Sequence, residues 1–145
     1  MTYSIVARCP RTGQYGVGVA TYSPVVGSNV PQVVSGRAAV AHQCVASPTY
    51  RALATQWLVE GMSAEAVIAR LAAEDPYWQN RQVILVDTKG EVAGFTGSKA
   101  PVHAGHHLGA GFACAGNVLT ETCLADTVAE FSTTQGSDLP LAERL

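Results

Sequence analysis

Three histidines, His103, His106 and His107, crowd into the stretch SKAPVHAGHHLGAG, and imidazoles so close together could hold a zinc ion. Their HxxHH spacing lies on a glycine-rich stretch instead of the helix that presents an HExxH pair, and no Asp or Glu stands nearby as ligand or base. A metal-dependent hydrolase centred there is an alternative reading. The main expectation is no metal and no cofactor, with His106 lining a pocket. His42 and Gln43 adjoin in an apolar run, so a strand would send them to opposite faces, one of them toward a neighbouring layer. Ser23, Ser28 and Asn29 fall in SPVVGSNVP, where hydroxyls, an amide or adjacent backbone N–H groups could contact a ligand or make ordinary turns. Asn117 could donate its amide to an oxyanion or cap a following helix, and capping is the simpler role. Thr2 is β-branched and suits the start of a strand, yet as a terminal residue it would hold nucleophile and amine base together.

The elements that must position these residues follow from periodicity and turn chemistry. Residues 3–9 and 14–21 are rich in Val, Ile and Tyr around PRTG, which reads as a β-hairpin. The glycines of YGVGVAT thin one face of its second strand and suit close approach of another sheet or backbone. SPVVGSNVPQ reads as a loop, and GRAAVAHQCVA as an apolar strand. Ser47 before Pro48 caps a helix with Tyr50, Leu53, Ala54, Trp57 and Leu58 on one face, and Ser63 caps a second that ends near Pro76. RQVILVDTKGEVAGFTG reads as two strands around a turn, SKAPVHAGHHLGAG as a loop, and FACAG as a short strand. Residues 117–135 carry Leu124, Val128 and Phe131 at helical spacing, and a last helix starts within SDLPLAERL. A helix that short is marginal alone, so a longer parent protein is expected.

At 145 residues the chain fits one domain that buries roughly two thirds of its unfolded surface. Only 14% of the residues are charged against 48% hydrophobic, so most strands should be covered on both faces. This points to an α+β fold with two sheets packed face to face and helices outside each. A net charge of −2 with scattered Lys and Arg argues against a nucleic-acid partner. No apolar run approaches the about eighteen residues of a membrane helix and no signal peptide opens the chain, so no membrane partner and a cytoplasmic location are expected. Cys9, Cys44, Cys114 and Cys123 lie far apart in apolar surroundings and are expected as buried free thiols.

MTYSIVARCPRTGQYGVGVAT, then VVGSNVP, VAHQ, RQVILVD, FTG, AGH and GN resemble, in order and spacing, an uncharacterised bacterial family described as Ntn-hydrolase-like (N-terminal nucleophile). The resemblance covers essentially the whole chain. It implies a four-layer αββα sandwich with two mainly antiparallel sheets, as in proteasome β-subunits, and a further C-terminal part in family members. It also implies that Thr2, once Met1 is removed, attacks an amide carbonyl in a small molecule or short peptide. Its own α-amine, titrating at about 7.7–8.0, would take the hydroxyl proton. Ser23, Ser28, His42, Gln43, His106 and Asn117 are then the substrate-binding or oxyanion candidates. A homo-oligomer, or association with a separate C-terminal fragment, fits the same reading.

A proteasome-type site also sets a lysine and an aspartate beside the threonine. Here the second strand and the loop after it contain neither, and Arg37 is the only cation in that part of the chain. The rival reading is a non-catalytic member that uses the same sandwich for binding or assembly.

Overall fold

The computed structural model describes residues 1–145. The expected first hairpin forms from β1 (Thr2–Arg8) and β2 (Tyr15–Thr21), in a register that sets Thr2 opposite Thr21. Its turn is closed by the Cys9 N–H on the Gln14 carbonyl and the Gly13 N–H on the Cys9 carbonyl, at 2.8 and 2.9 Å. On its other edge β1 pairs with β8 (Phe112–Asn117), which itself pairs with β7 (Gly105–Gly109). A second sheet runs in the order β3 (Pro31–Val34), β4 (Ala38–Cys44), β5 (Arg81–Val86), β6 (Val92–Thr96). All pairings in both four-stranded sheets are antiparallel.

The two-residue period of each strand sorts side chains between two environments. Val6, Ala39, Ala41, Ile84, Val86, Ala113 and Ala115 come from both sheets and form one buried cluster. Their neighbours Ala38, Val40, Val83 and Leu85 turn the other way and bury against helices. This is why the strands read as continuous apolar runs, with no polar alternation to mark a wet face.

The helices pack as their sequence patterns require. In α2 (Pro48–Val59) the Ser47 hydroxyl accepts from the Tyr50 N–H and Pro48 occupies the first turn. In α3 (Ala64–Glu74) Ser63 does the same for Ala66. Leu58 and Leu71 from these helices are fully buried beside Val83 and Leu85, each worth roughly 1.5–3 kcal/mol of transfer free energy. A short 3-10 turn (Trp78–Asn80) follows, and Trp78 stacks on Phe95 with centroids 4.1 Å apart. Beside it Arg81 donates to buried Asp75 at 2.8 Å. On the first sheet, Phe131 of α4 (Cys123–Thr133) and Leu141 of α5 (Leu141–Arg144) bury against Ile5, Ala7 and Phe112.

Four expectations need correction. SPVVGSNVPQ is not one loop: it holds a single turn of helix, α1 (Val26–Asn29), and then β3. Pro31 masked β3, but it sits first in an edge strand, where its missing N–H costs no ladder bond. The histidine stretch is not a loop either, because β7 runs through His106 and His107, where pairing with β8 overrides the poor strand propensity of glycine. Asn117 does not cap α4; it ends β8 opposite Thr2, and α4 begins only at Cys123. The glycines of β2 do permit a close approach, by the end of α5: a Cβ at Gly18 would stand 3.0 Å from the Leu145 carbonyl oxygen. All four thiols are free, but only Cys9 and Cys114 are buried. No helix is long and apolar enough to cross a membrane.

Candidate functional site

At one end of the space between the sheets the apolar filling gives way to polar side chains. Thr2 and Ser4 stand four and two residues before Val6 on β1, so they share its face. By the same parity Gln43 extends the face of Ala41, Gln82 that of Ile84, and Asn117 that of Ala115. Ser4, Gln43, Gln82 and Asn117 are buried, Gln82 completely, so each polar group needs a partner.

Gln82 supplies most of them. Its Oε1 accepts from Gln43 Nε2 at 2.8 Å and Asn117 Nδ2 at 3.0 Å. Its Nε2 lies within 3.0 Å of three acceptors, the Gly116 and Gly105 carbonyls and Thr96 Oγ1, for two hydrogens to share. Ser4 donates to Gln43 Oε1, and Thr96 Oγ1 meets His106 Nδ1 at 2.9 Å. The result is a bridge of amides across both sheets, running from Ser4 to His106.

Thr2 lies at the rim of this bridge. Its hydroxyl is 2.9 Å from Thr21 Oγ1, which donates to the Met1 carbonyl at 3.0 Å. Thr21 has one hydroxyl hydrogen, so with that hydrogen on Met1 it is Thr2 that donates between the pair. Both threonines line a cavity of about 150 Å³ together with Ser23, Asn29, Gln43 and Cys44. The residues around it are uncharged. A larger cleft of about 580 Å³ lies between β2 and α5, but its walls carry no carboxylate, imidazole or thiol side chain.

The other candidates are distributed unevenly. Ser23 and Gln43 join Thr2 at the cavity, whereas Ser28 points away, its hydroxyl donating to the Val25 carbonyl at 3.0 Å. Asn117 pairs with Thr2 across β1 and β8 and donates to Gln82, whereas His106 reaches the site only through Thr96 and Gln82. His42 faces the helices: its Nδ1 accepts from the Ser47 N–H at 3.2 Å, which puts its proton on Nε2, where no protein partner meets it. Burial, reinforced by the Arg81 charge, pushes its pKa down to about 4, so the ring is neutral. Burial also lowers the pKa of His106. The HxxHH set does not assemble: His106 points to Thr96 while His107 lies near Phe112 on the opposite face, and no cluster of three metal-ligating side chains forms.

Sequence reasoning missed Ser4, Thr21, Thr96 and Gln82. The signal for Gln82 was present, since a lone amide in RQVILVD falls on the same strand face as Ile84 and Val86. Thr21 was legible only through the hairpin register.

A comparison with curated proteins found no match. Among solved structures, the chain is similar to the crystal structure of a Silicibacter pomeroyi protein, with a TM-score of 0.90 and 29% sequence identity. The similarity covers 99% of this chain and 66% of that one, so the chain spans just under two thirds of the relative's length. That protein is described by the same family, whose model matches residues 2–145 here. The chain therefore belongs to the family of unknown function DUF1028.

Proposed function

We propose that this protein is an N-terminal-nucleophile amide hydrolase with the Ntn αββα architecture, and that Thr2 is both its nucleophile and its base. The observation that carries the reading is the placement of the Thr2 hydroxyl on a small polar cavity at a strand end, held by Thr21. Cleavage of Met1 would expose the Thr2 amine beside its own hydroxyl. The neutral amine takes the hydroxyl proton as the oxygen attacks the substrate carbonyl, the C–N bond breaks, and the proton passes to the departing amine. Water, deprotonated by the same amine, then cleaves the ester and restores Thr2.

Oxyanion donors come from the cavity wall. Asn29 and Ser23 are among the residues that line it, so the Asn29 amide and the Ser23 hydroxyl are the donors proposed, and the Gln43 amide is already committed to Gln82. The uncharged lining departs from the lysine–aspartate pattern of proteasome sites, and Thr21 takes the place of those residues in orienting Thr2. A cavity of about 150 Å³ suits a small acyl group or the end of a short peptide better than a folded protein. A panel of small amides and dipeptides tests the proposal. Turnover by wild type that disappears in Thr2→Ala while folding persists supports it; equal turnover by both removes it. Binding without turnover in both proteins would favour the non-catalytic reading.

A further inference from the structure

At the opposite end of β1 from Thr2, about 20 Å along the strand, three cations meet around a second cleft. Arg8, Lys89 and Arg144 line a space of about 350 Å³ with Gln135, and no carboxylate contributes to its wall. The protein's three carboxylate ion pairs use Arg11, Arg70 and Arg81, so none of these three cations has a carboxylate partner within 4.0 Å, and Arg144 Nη1 meets only the Cys9 thiol, at 3.8 Å. Carboxylates on the adjoining elements do not line this cleft. Asp87 accepts from the backbone N–H groups of Lys89, Glu91 and Ala64 at 2.8–3.1 Å, while Asp126 and Glu130 line a neighbouring cleft that shares Arg144.

The two arginines are also held in place. The Arg144 guanidinium lies 5.2 Å from the Phe131 ring centroid, with its Nε donating to Thr134 Oγ1 at 3.4 Å. Arg8 lies 5.8 Å from the Tyr15 ring and crosses the β5–β6 turn at Gly90. Gly90 has a φ of 88°, and a Cβ there would stand 3.2 Å from Arg8 Cδ, so a side chain would both strain the turn and displace the arginine. Two held arginines and a lysine exposed on the turn set three positive charges around a concave wall, which focuses field toward an anion. Their number decides its class: one planar carboxylate occupies one arginine fork, whereas tetrahedral phosphate oxygens can meet donors from several sides.

We propose that the Arg8–Lys89–Arg144 cleft binds the phosphate group of a small molecule, at a site separate from Thr2. The test is isothermal titration of the whole chain with inorganic pyrophosphate, phosphate and citrate at matched ionic strength. Saturable 1:1 binding of pyrophosphate is expected, weakened about tenfold by Lys89→Gln or Arg144→Gln and unchanged by Thr2→Ala. Lys89 is exposed on a turn, so its substitution leaves the fold intact, which circular dichroism verifies. Absence of saturable pyrophosphate binding, or affinity unaltered in both variants, would overturn the site. Tighter binding of citrate than of pyrophosphate would overturn the phosphate assignment. Loss of binding in Thr2→Ala would overturn its separateness, and loss of amide turnover alone would leave it standing.

Discussion

Replacing Gln82 with methionine keeps the side chain's length and volume while removing the amide that joins the two sheets. Gln43 Nε2 and Asn117 Nδ2 would lose their shared acceptor, and the Gly116 carbonyl would lose a donor at 2.9 Å. An unsatisfied buried polar group costs about 1–3 kcal/mol. Three such groups give roughly 3–9 kcal/mol, and rotation of Gln43 and Asn117 toward new partners brings the expected loss to about 3–5 kcal/mol. That is a large share of the about 5–15 kcal/mol typical of a whole domain. Urea unfolding followed by circular dichroism should therefore show a much lower midpoint with an unchanged slope. Because the groups share one acceptor, Asn117→Leu added to Gln82→Met should cost less than the sum of the two single changes. A Gln82→Met protein within about 1 kcal/mol of wild type would refute the view that Gln82 organises this end of the fold.

Other consequences can be measured independently. His42 has a folded pKa of about 4 against about 6.5 unfolded, so between those values the unfolded chain binds more protons and stability falls as pH falls. The loss should approach about 3 kcal/mol near pH 4, read from urea midpoints at pH 4.5 and 7, and His42→Gln should remove most of that slope. Native alkylation followed by mass spectrometry should modify partly exposed Cys123 before Cys44, whose thiol burial pushes up, and should reach Cys114 only on unfolding because burial pushes its thiol up to about 12. Thr21→Val removes the hydrogen-bond partner of Thr2; it should cost about 1 kcal/mol of stability and lower any Thr2-dependent turnover more than it changes KM.

Much of this architecture was legible because its signals are local. PRTG announced the first hairpin, Ser47–Pro48 and Ser63 announced two helices, and the apolar strands announced coverage on both faces. The elements that escaped depend on distant pairing. β7 exists because β8 supplies its ladder, and β3 because β4 lies beside it, so neither GHHLG nor PQVV carries its fate in its own composition. The site divided in the same manner. Thr2, Ser23 and Gln43, each singled out in the sequence, line one cavity, whereas Thr21 and Gln82 emerge only through strand register and parity. His42 misled because a histidine in an apolar strand looks chemical, and here it faces helices as a neutral buried ring.

The central claim is that the amine and hydroxyl of Thr2 act together, which requires Thr2 to be the first residue of the working protein. Intact-mass spectrometry of the protein expressed without an N-terminal tag tests this directly. The account predicts a mass lower than the encoded chain by one methionine residue, with Thr2 as the terminus. Full retention of Met1 would leave the Thr2 nitrogen in a peptide bond, unable to serve as a base, and would contradict the mechanism.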